Sequence, residues 1–211
     1  MFLDSDDYWE GTSILSDLQK IITENNPDVI FNYMSSVYPD KVLNNYLNRD
    51  KLLGSFKEDF QGLYQDGIYL GFVWTKIIKR EILLKNHLFF IKGRSFEDVT
   101  WSFFLTKYIS SYAIYKNCFY MYRRKRKGSI SSVVTAKNQV SLFQNLSDVI
   151  TEIETMKLNN QLLPGFKKYA DDIYRYVMTC YDLLSDDDKK AFYEEKNEIT
   201  KKWIKTKTAY F

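Results

Sequence analysis

Phe2-Leu3-Asp4-Ser5-Asp6-Asp7-Tyr8-Trp9 sets three carboxylates within four positions, directly after two apolar residues. Read locally, Phe2-Leu3 is the end of a buried strand that runs into an acidic turn. Carboxylates at i and i+2 in a tight turn converge on one point, and a hard divalent cation with oxygen ligands relieves their repulsion. The same residues also suit a solvated turn that caps the next helix. A calcium loop of the helix–loop–helix type is excluded, because Trp9 stands where its glycine is needed and Leu15 where its glutamate is needed.

Beyond the turn, Ile14, Leu15, Leu18, Ile21 and Ile22 recur at helical spacing, and Asn25-Asn26-Pro27-Asp28 stops that helix. Val29 to Tyr38 is rich in aromatic and β-branched residues, apolar on both faces and closed by Pro39-Asp40, which predicts a strand. Residues 41–70 are polar and mixed, with one short helix around 57–65. The stretch 72–85 predicts a helix with Lys76, Lys79 and Arg80 on a solvated basic face, and 96–110 predicts a second, strongly apolar helix. Two short strands follow, near 112–115 and 119–123. Helices then occupy about 138–158, 165–184 and 186–204, the last capped by Ser185 with Asp186, Asp187 and Asp188 in its first turn. The fold class is α/β for residues 1–131, followed by an α-helical region over 132–211.

Composition bounds the function classes. Hydrophobic residues make up 45% of the 211 and aromatics 17%, too apolar for intrinsic disorder. Eight Gly and three Pro exclude collagen-like and low-complexity chains. A net charge of +3 gives no strong global field for nucleic acid or an anionic membrane. Cys118 and Cys180 make no disulfide framework, which fits a reducing compartment. No apolar run approaches the roughly 18 residues needed to span a bilayer, and Met1-Phe2-Leu3 lacks a signal peptide's basic start. The expectation is a cytoplasmic protein, one able to work at the inner face of the cell membrane. His87 is the single histidine, so multi-histidine metal sites are excluded.

Two further segments carry chemistry. In Gly93-Arg94-Ser95-Phe96-Glu97-Asp98-Val99 the acids stand where a loop gives way to an apolar helix. They complement the helix N-terminus; alternatively one of them is a general base at the lip of a cleft, its pKa raised by Phe96, Val99 and Trp101. In Tyr120-Met121-Tyr122-Arg123-Arg124-Lys125-Arg126-Lys127-Gly128-Ser129-Ile130-Ser131, guanidinium forks suit phosphate, and Gly-Ser adds a backbone N–H and a hydroxyl. Taken alone, such a run is more often a solvated segment or a nucleic-acid patch.

Taken in order, the acidic turn, Trp74-Thr75-Lys76-Ile77-Ile78-Lys79-Arg80-Glu81-Ile82-Leu83, Phe96-Glu97-Asp98-Val99 and the Tyr-Arg-Gly-Ser tract resemble the family 2 glycosyltransferases of the GT-A fold, over residues 1 to about 131. The resemblance implies a partial GT-A-like (Rossmann-like) mixed sheet with flanking helices. It also implies an inverting, metal-dependent transferase acting on a nucleotide-sugar donor. The acceptor it implies is a polysaccharide or lipid-linked glycan, as in capsule, exopolysaccharide or cell-surface glycan synthesis; nucleic acid is not an implied partner. By the same resemblance Asp4 and Asp6 hold Mg2+ or Mn2+ and the nucleotide-sugar, with Asp6 the more direct ligand. Asp98 is the base that deprotonates the acceptor hydroxyl, and Glu97 binds the acceptor or orients the base. Arg126 and Ser129 close over the diphosphate; the tract is one residue longer than the family's spacing, so Arg123 and Arg124 stand beside Arg126 as candidates.

The family's nucleotide-binding half, with its Pro-x-Tyr-Asn and Asp-Asp-Gly-Ser motifs, precedes the Asp-x-Asp, and neither motif occurs in these 211 residues. The expectation is therefore a truncated reading frame or a split enzyme whose partner chain carries that half. The alternative reading is an inactive subunit that supports such a partner. A further expectation follows: the strand at 29–38 would leave a long apolar edge unpaired.

Overall fold

The computed structural model describes residues 1–45, 49–126, 134–158 and 160–211. Two long strands, β2 (Val29–Val37) and β6 (Ser111–Arg123), run parallel side by side at its centre. Parallel neighbours are buried on both faces, which is why β2 reads as a near-continuous apolar run. Side chains alternate along them: Val29, Phe31 and Tyr33 face the larger core with Tyr112, Ile114 and Tyr120, whereas Ile30 faces a smaller one with Ala113, Tyr115 and Phe119. The expected pair of strands at 112–115 and 119–123 is one strand. Its register slips between Asn32–Tyr115 and Tyr33–Cys118, where Lys116 and Asn117 bulge outward.

Short strands cover both sides. β1 (Tyr8–Trp9) and β4 (Leu53–Ser55) pair antiparallel with the two ends of β6, and β3 (Val42–Asn44) and β5 (Lys76–Ile78) with the two ends of β2. The sheet is thus mixed and six-stranded. It corrects the expected unpaired apolar edge: residues 29–37 lie at the centre, and the outer strands are only two or three residues long, a common way to blunt an edge.

The structure corrects two more expectations. Phe2-Leu3 is not a strand end; Phe2 sits edge-on to Phe90 and Trp101 and Leu3 is exposed, because pairing with β6 begins only at Tyr8, after the turn. Residues 72–85 are not one helix. A single 3-10 turn over Val73–Thr75 leads into β5, whose β-branched Ile77 and Ile78 pair with Ile30 and Val29, and α3 (Arg80–Lys85) is only six residues. Sheet pairing overrides the helical spacing there, and it buries Lys76 completely.

Helix α1 (Ile14–Asn25) covers the smaller core through Ile14 and Leu18. The other face carries α2 (Phe56–Gln65), α4 (Glu97–Leu105), α5 (Ala136–Glu154) and α6 (Leu163–Asp182), with α7 (Asp186–Ala191) and α8 (Tyr193–Tyr210) outside them. Ser185 caps α7 as expected, its Oγ accepting from Asp188 N at 3.2 Å, but the helix breaks at Phe192. Core packing is continuous from Phe31 on β2 through Phe60 and Phe103 to Phe166 on α6. Gly165 makes that contact possible, since a Cβ there would enter the Phe60 ring, itself wedged among Phe56, Tyr69 and Phe166. Gly165→Val is therefore expected to cost about 3 kcal/mol, far above the few tenths that helix propensity returns. In a chain of this size that lowers Tm by roughly 6–12 °C, and an unchanged calorimetric Tm would contradict the packing.

Candidate active site

The acidic turn is stitched to the end of β6. Asp7 is buried, and its two carboxylate oxygens accept from Tyr120 Oη at 2.9 Å and from Arg123 N at 2.8 Å. Tyr120 Oη in turn accepts from Asp4 N at 3.1 Å, and Arg123 Nε donates to the Asp6 carbonyl at 2.6 Å. Tyr120 is held by a stack of rings: Trp74 lies 4.4 Å from it at 12° and Phe72 lies 4.9 Å from Trp74 at 8°. The Trp74 segment and the β6 tract therefore hold the turn together, far apart though they are in sequence.

One oxygen from each of Asp4, Asp6 and Asp7 falls within 4.8 Å of the others. Their situations differ. Asp7 has both oxygens occupied, so it shapes the turn; burial raises its carboxyl above the usual range, against the pull of the Arg123 and Tyr120 hydrogen bonds. Asp6 pairs with Arg126 at 2.7 Å. Among the described residues no hydrogen bond reaches the Asp4 carboxylate, which partial burial and then the Asp7, Asp6 and Glu97 carboxylates push upward. A carboxylate free of donors and another held only by a surface arginine, converging on one point, form a donor set that fits Mg2+ or Mn2+.

Glu97 and Asp98 open α4. The residue before them, Phe96, adopts the left-handed conformation (φ 56°, ψ 33°), which strains a bulky side chain. Helix α5 holds it there. Asn145 Nδ2 donates to the Ser95 carbonyl at 3.0 Å and the Phe96 carbonyl at 2.9 Å, Ser141 Oγ accepts from Ser95 N at 3.1 Å, and Arg94 pairs with Asp148. Nothing in the sequence of α5 signals this, since Asn145 and Ser141 form no motif and act through backbone carbonyls and an N–H. Asn145→Ala takes the side-chain donor from the Ser95 carbonyl and leaves the Phe96 carbonyl only the Val99 N–H at 3.3 Å, and is expected to cost about 1–3 kcal/mol. Because it frees the backbone that sets Asp98, it should lower turnover more than donor affinity; a drop in Tm with unchanged turnover would show a purely structural role.

Asp98 is pushed up to about 6, first by burial and then by Glu97 and Asp4, against the pull of Lys76 and the Val99 N–H. Burial also lowers Lys76 to about 7, with Asp98 opposing that shift. The Lys76 ammonium donates to the Leu70 carbonyl at 2.5 Å and the Phe72 carbonyl at 2.8 Å and lies 4.9 Å over the Tyr69 ring. An acid raised and a base lowered toward neutrality, each within the other's electrostatic reach, mark a candidate site. The expected place of Lys76 on a solvated face is thereby corrected; its burial comes with its place in β5, paired with Phe31 of β2.

The structure thus brings Asp4, Glu97 and Asp98 within electrostatic reach of one another, sets Asp6 beside Asp4, and adds Asp7, Tyr120 and Lys76. Of the cations, Arg123 and Arg126 both reach the turn, Arg123 through the Asp6 carbonyl and Arg126 through the Asp6 carboxylate. Arg124 lies 5.0 Å over the Tyr122 ring and is raised by its bond with Tyr38. Ser129 lies outside the described residues.

No protein-family model and no curated protein matches the sequence. Among solved structures the chain is similar to S. aureus TarS 1-349 in complex with UDP, at 13% identity and a TM-score of 0.50, covering 100% of this chain and 65% of that one. Another structure of S. aureus TarS 1-349 aligns at 16% identity and a TM-score of 0.49, over 86% of this chain and 66% of that one. The chain spans 65% of the length of the UDP-bound neighbour. The likeness is one of fold: a mixed sheet with flanking helices.

Proposed function

We propose that the chain transfers a sugar, with inversion, from a nucleotide-sugar donor to a hydroxyl of a polysaccharide or lipid-linked glycan acceptor. The observation that carries this reading is the pairing of the Asp4–Asp6 turn with Asp98, poised at about 6 at the head of α4. Asp98 takes the proton of the acceptor hydroxyl as that oxygen attacks the anomeric carbon in line, and a base of this pKa is ionised at neutral pH yet still basic enough to act. Glu97, beside it, orients the acceptor. Asp4 and Asp6 would hold Mg2+ or Mn2+, whose charge offsets that of the departing diphosphate. Arg126 exchanges from Asp6 to the diphosphate, with Arg124 the second candidate and Ser129 joining it by resemblance to the family's closing segment. The UDP complex of the structural neighbour makes UDP the first probe.

The test is release of UDP from a panel of UDP-sugars, with Mn2+ and an acceptor fraction of polysaccharide or lipid-linked glycan. Release that requires both Mn2+ and acceptor supports the reading. Release indifferent to both, or none from any donor even with a chain carrying the nucleotide-binding half supplied, counts against it.

A further inference from the structure

Between Glu81 and Glu97 the chain carries Lys85, His87, Lys92 and Arg94 and no acid. The same stretch exposes large apolar side chains: Leu84 is 45% exposed, Phe89 64%, Phe90 39% and Ile91 40%. Such a cluster on one short loop is not explained by packing. The loop is nonetheless firmly presented. His87 and Gly93 turn its two ends with positive φ (51° and 80°), Trp101 Nε1 donates to the Leu88 carbonyl at 3.2 Å, and Leu88 N donates to the Leu83 carbonyl at 3.0 Å. Phe90 is the anchor, its ring 5.3 Å from Trp101 and 5.8 Å from Phe2. Phe89 and Ile91, on either side of it, project into solvent. Arg94 is committed to Asp148, but Lys85 and Lys92 are exposed and make no ion pair among the described residues.

We infer that the loop 86–93, with the end of α3, docks on an anionic lipid surface. Two aromatic rings and two aliphatic side chains supply apolar area for the boundary between headgroups and acyl chains, and long lysine side chains on both flanks reach lipid phosphates. The absence of any acid across the stretch favours an anionic bilayer over a protein partner, whose interface core is commonly depleted of lysine. No helix among the described residues is long and apolar enough to cross a membrane, so contact of this kind is interfacial. The loop lies beside the candidate site, since Trp101, which holds it, follows Asp98 by three positions on α4 and shares its face. A chain docked there would present Asp98 close to the plane of the lipid headgroups. The inference does not depend on the transfer reading, because its readout is binding alone.

The test is sedimentation of the full chain with vesicles of phosphatidylcholine and phosphatidylglycerol, against vesicles of phosphatidylcholine alone. Binding to the anionic vesicles that weakens with salt is expected, with little binding to neutral ones. Phe89→Ser together with Ile91→Ser, both exposed, should keep the wild-type Tm and weaken binding at least about tenfold. Lys85→Ser with Lys92→Ser should weaken it about 30-fold at low salt, and this pair serves if the first does not fold. No binding to anionic vesicles, or binding unchanged in both pairs, would overturn the inference. So would self-association lost in the Phe89/Ile91 pair without vesicle binding, which would assign the patch to a protein interface.

Discussion

Asp98→Asn is expected to lower turnover by two or more orders of magnitude while leaving donor affinity nearly unchanged. The amide keeps the shape of the side chain but cannot accept the acceptor's proton, and base catalysis is worth roughly 10²–10⁴-fold. The wild-type rate should also rise with pH through about 6, as Asp98 ionises. Lys76 sets the position of that rise. Its positive charge favours the Asp98 carboxylate, so Lys76→Met should move the rise to higher pH. The linkage to stability runs in the same terms. Between the unfolded lysine value of about 10.4 and the folded value of about 7, the unfolded chain binds the extra proton, so wild-type stability should climb with pH in that window. Lys76→Met should lose that climb. If donor affinity collapses together with turnover in Asp98→Asn, the residue is structural and the proposed base must be sought elsewhere.

Asp6→Ala is expected to abolish Mn2+-stimulated binding of UDP. Asp7 cannot stand in, because both its oxygens are engaged by Tyr120 and Arg123, and Asp4 alone offers too few hard oxygen ligands. The fold should survive the change: the Asp6 side chain gives up only its pair with Arg126, while its carbonyl keeps the Arg123 bond. Calorimetric titration of UDP in Mn2+ and in chelator separates the outcomes. Metal dependence equal to wild type would remove Asp6 from the ligand set.

What the sequence discloses follows the range of the forces involved. Helix α1, strand β2, helix α2 and the Ser185 cap are set by neighbours a few positions away, and their expected bounds agree with the structure to within about two residues. Residues 72–85 mislead because Ile77 and Ile78 are claimed by pairing with β2, some fifty positions earlier. The supposed unpaired edge at 29–37 misleads for the same reason: β6, which covers it, comes more than seventy positions later. In the candidate site, Asp4, Asp6, Glu97 and Asp98 were legible because their spacing and order resemble a family pattern. Lys76 was not, since its burial is a product of the sheet. Asn145 was not, since it acts through one amide placed by tertiary packing, and Tyr120, in view at the head of the Tyr-Arg-Gly-Ser tract, gave no sign of its bond to Asp7. Asp7 was in plain view but indistinguishable from Asp4 and Asp6 until its oxygens were counted.

The central claim is that the acidic turn and the head of α4 form one site for a metal and a nucleoside diphosphate. Paramagnetic broadening tests it most directly: amide resonances of the full chain, with UDP, titrated with substoichiometric Mn2+. The account predicts that Asp4 to Tyr8, Glu97 to Val99 and Tyr120 to Arg123 broaden first and together, and that chelator restores them. Broadening centred instead on the exposed acids Asp186 and Asp187, or confined to the turn with Glu97 and Asp98 untouched, would contradict it.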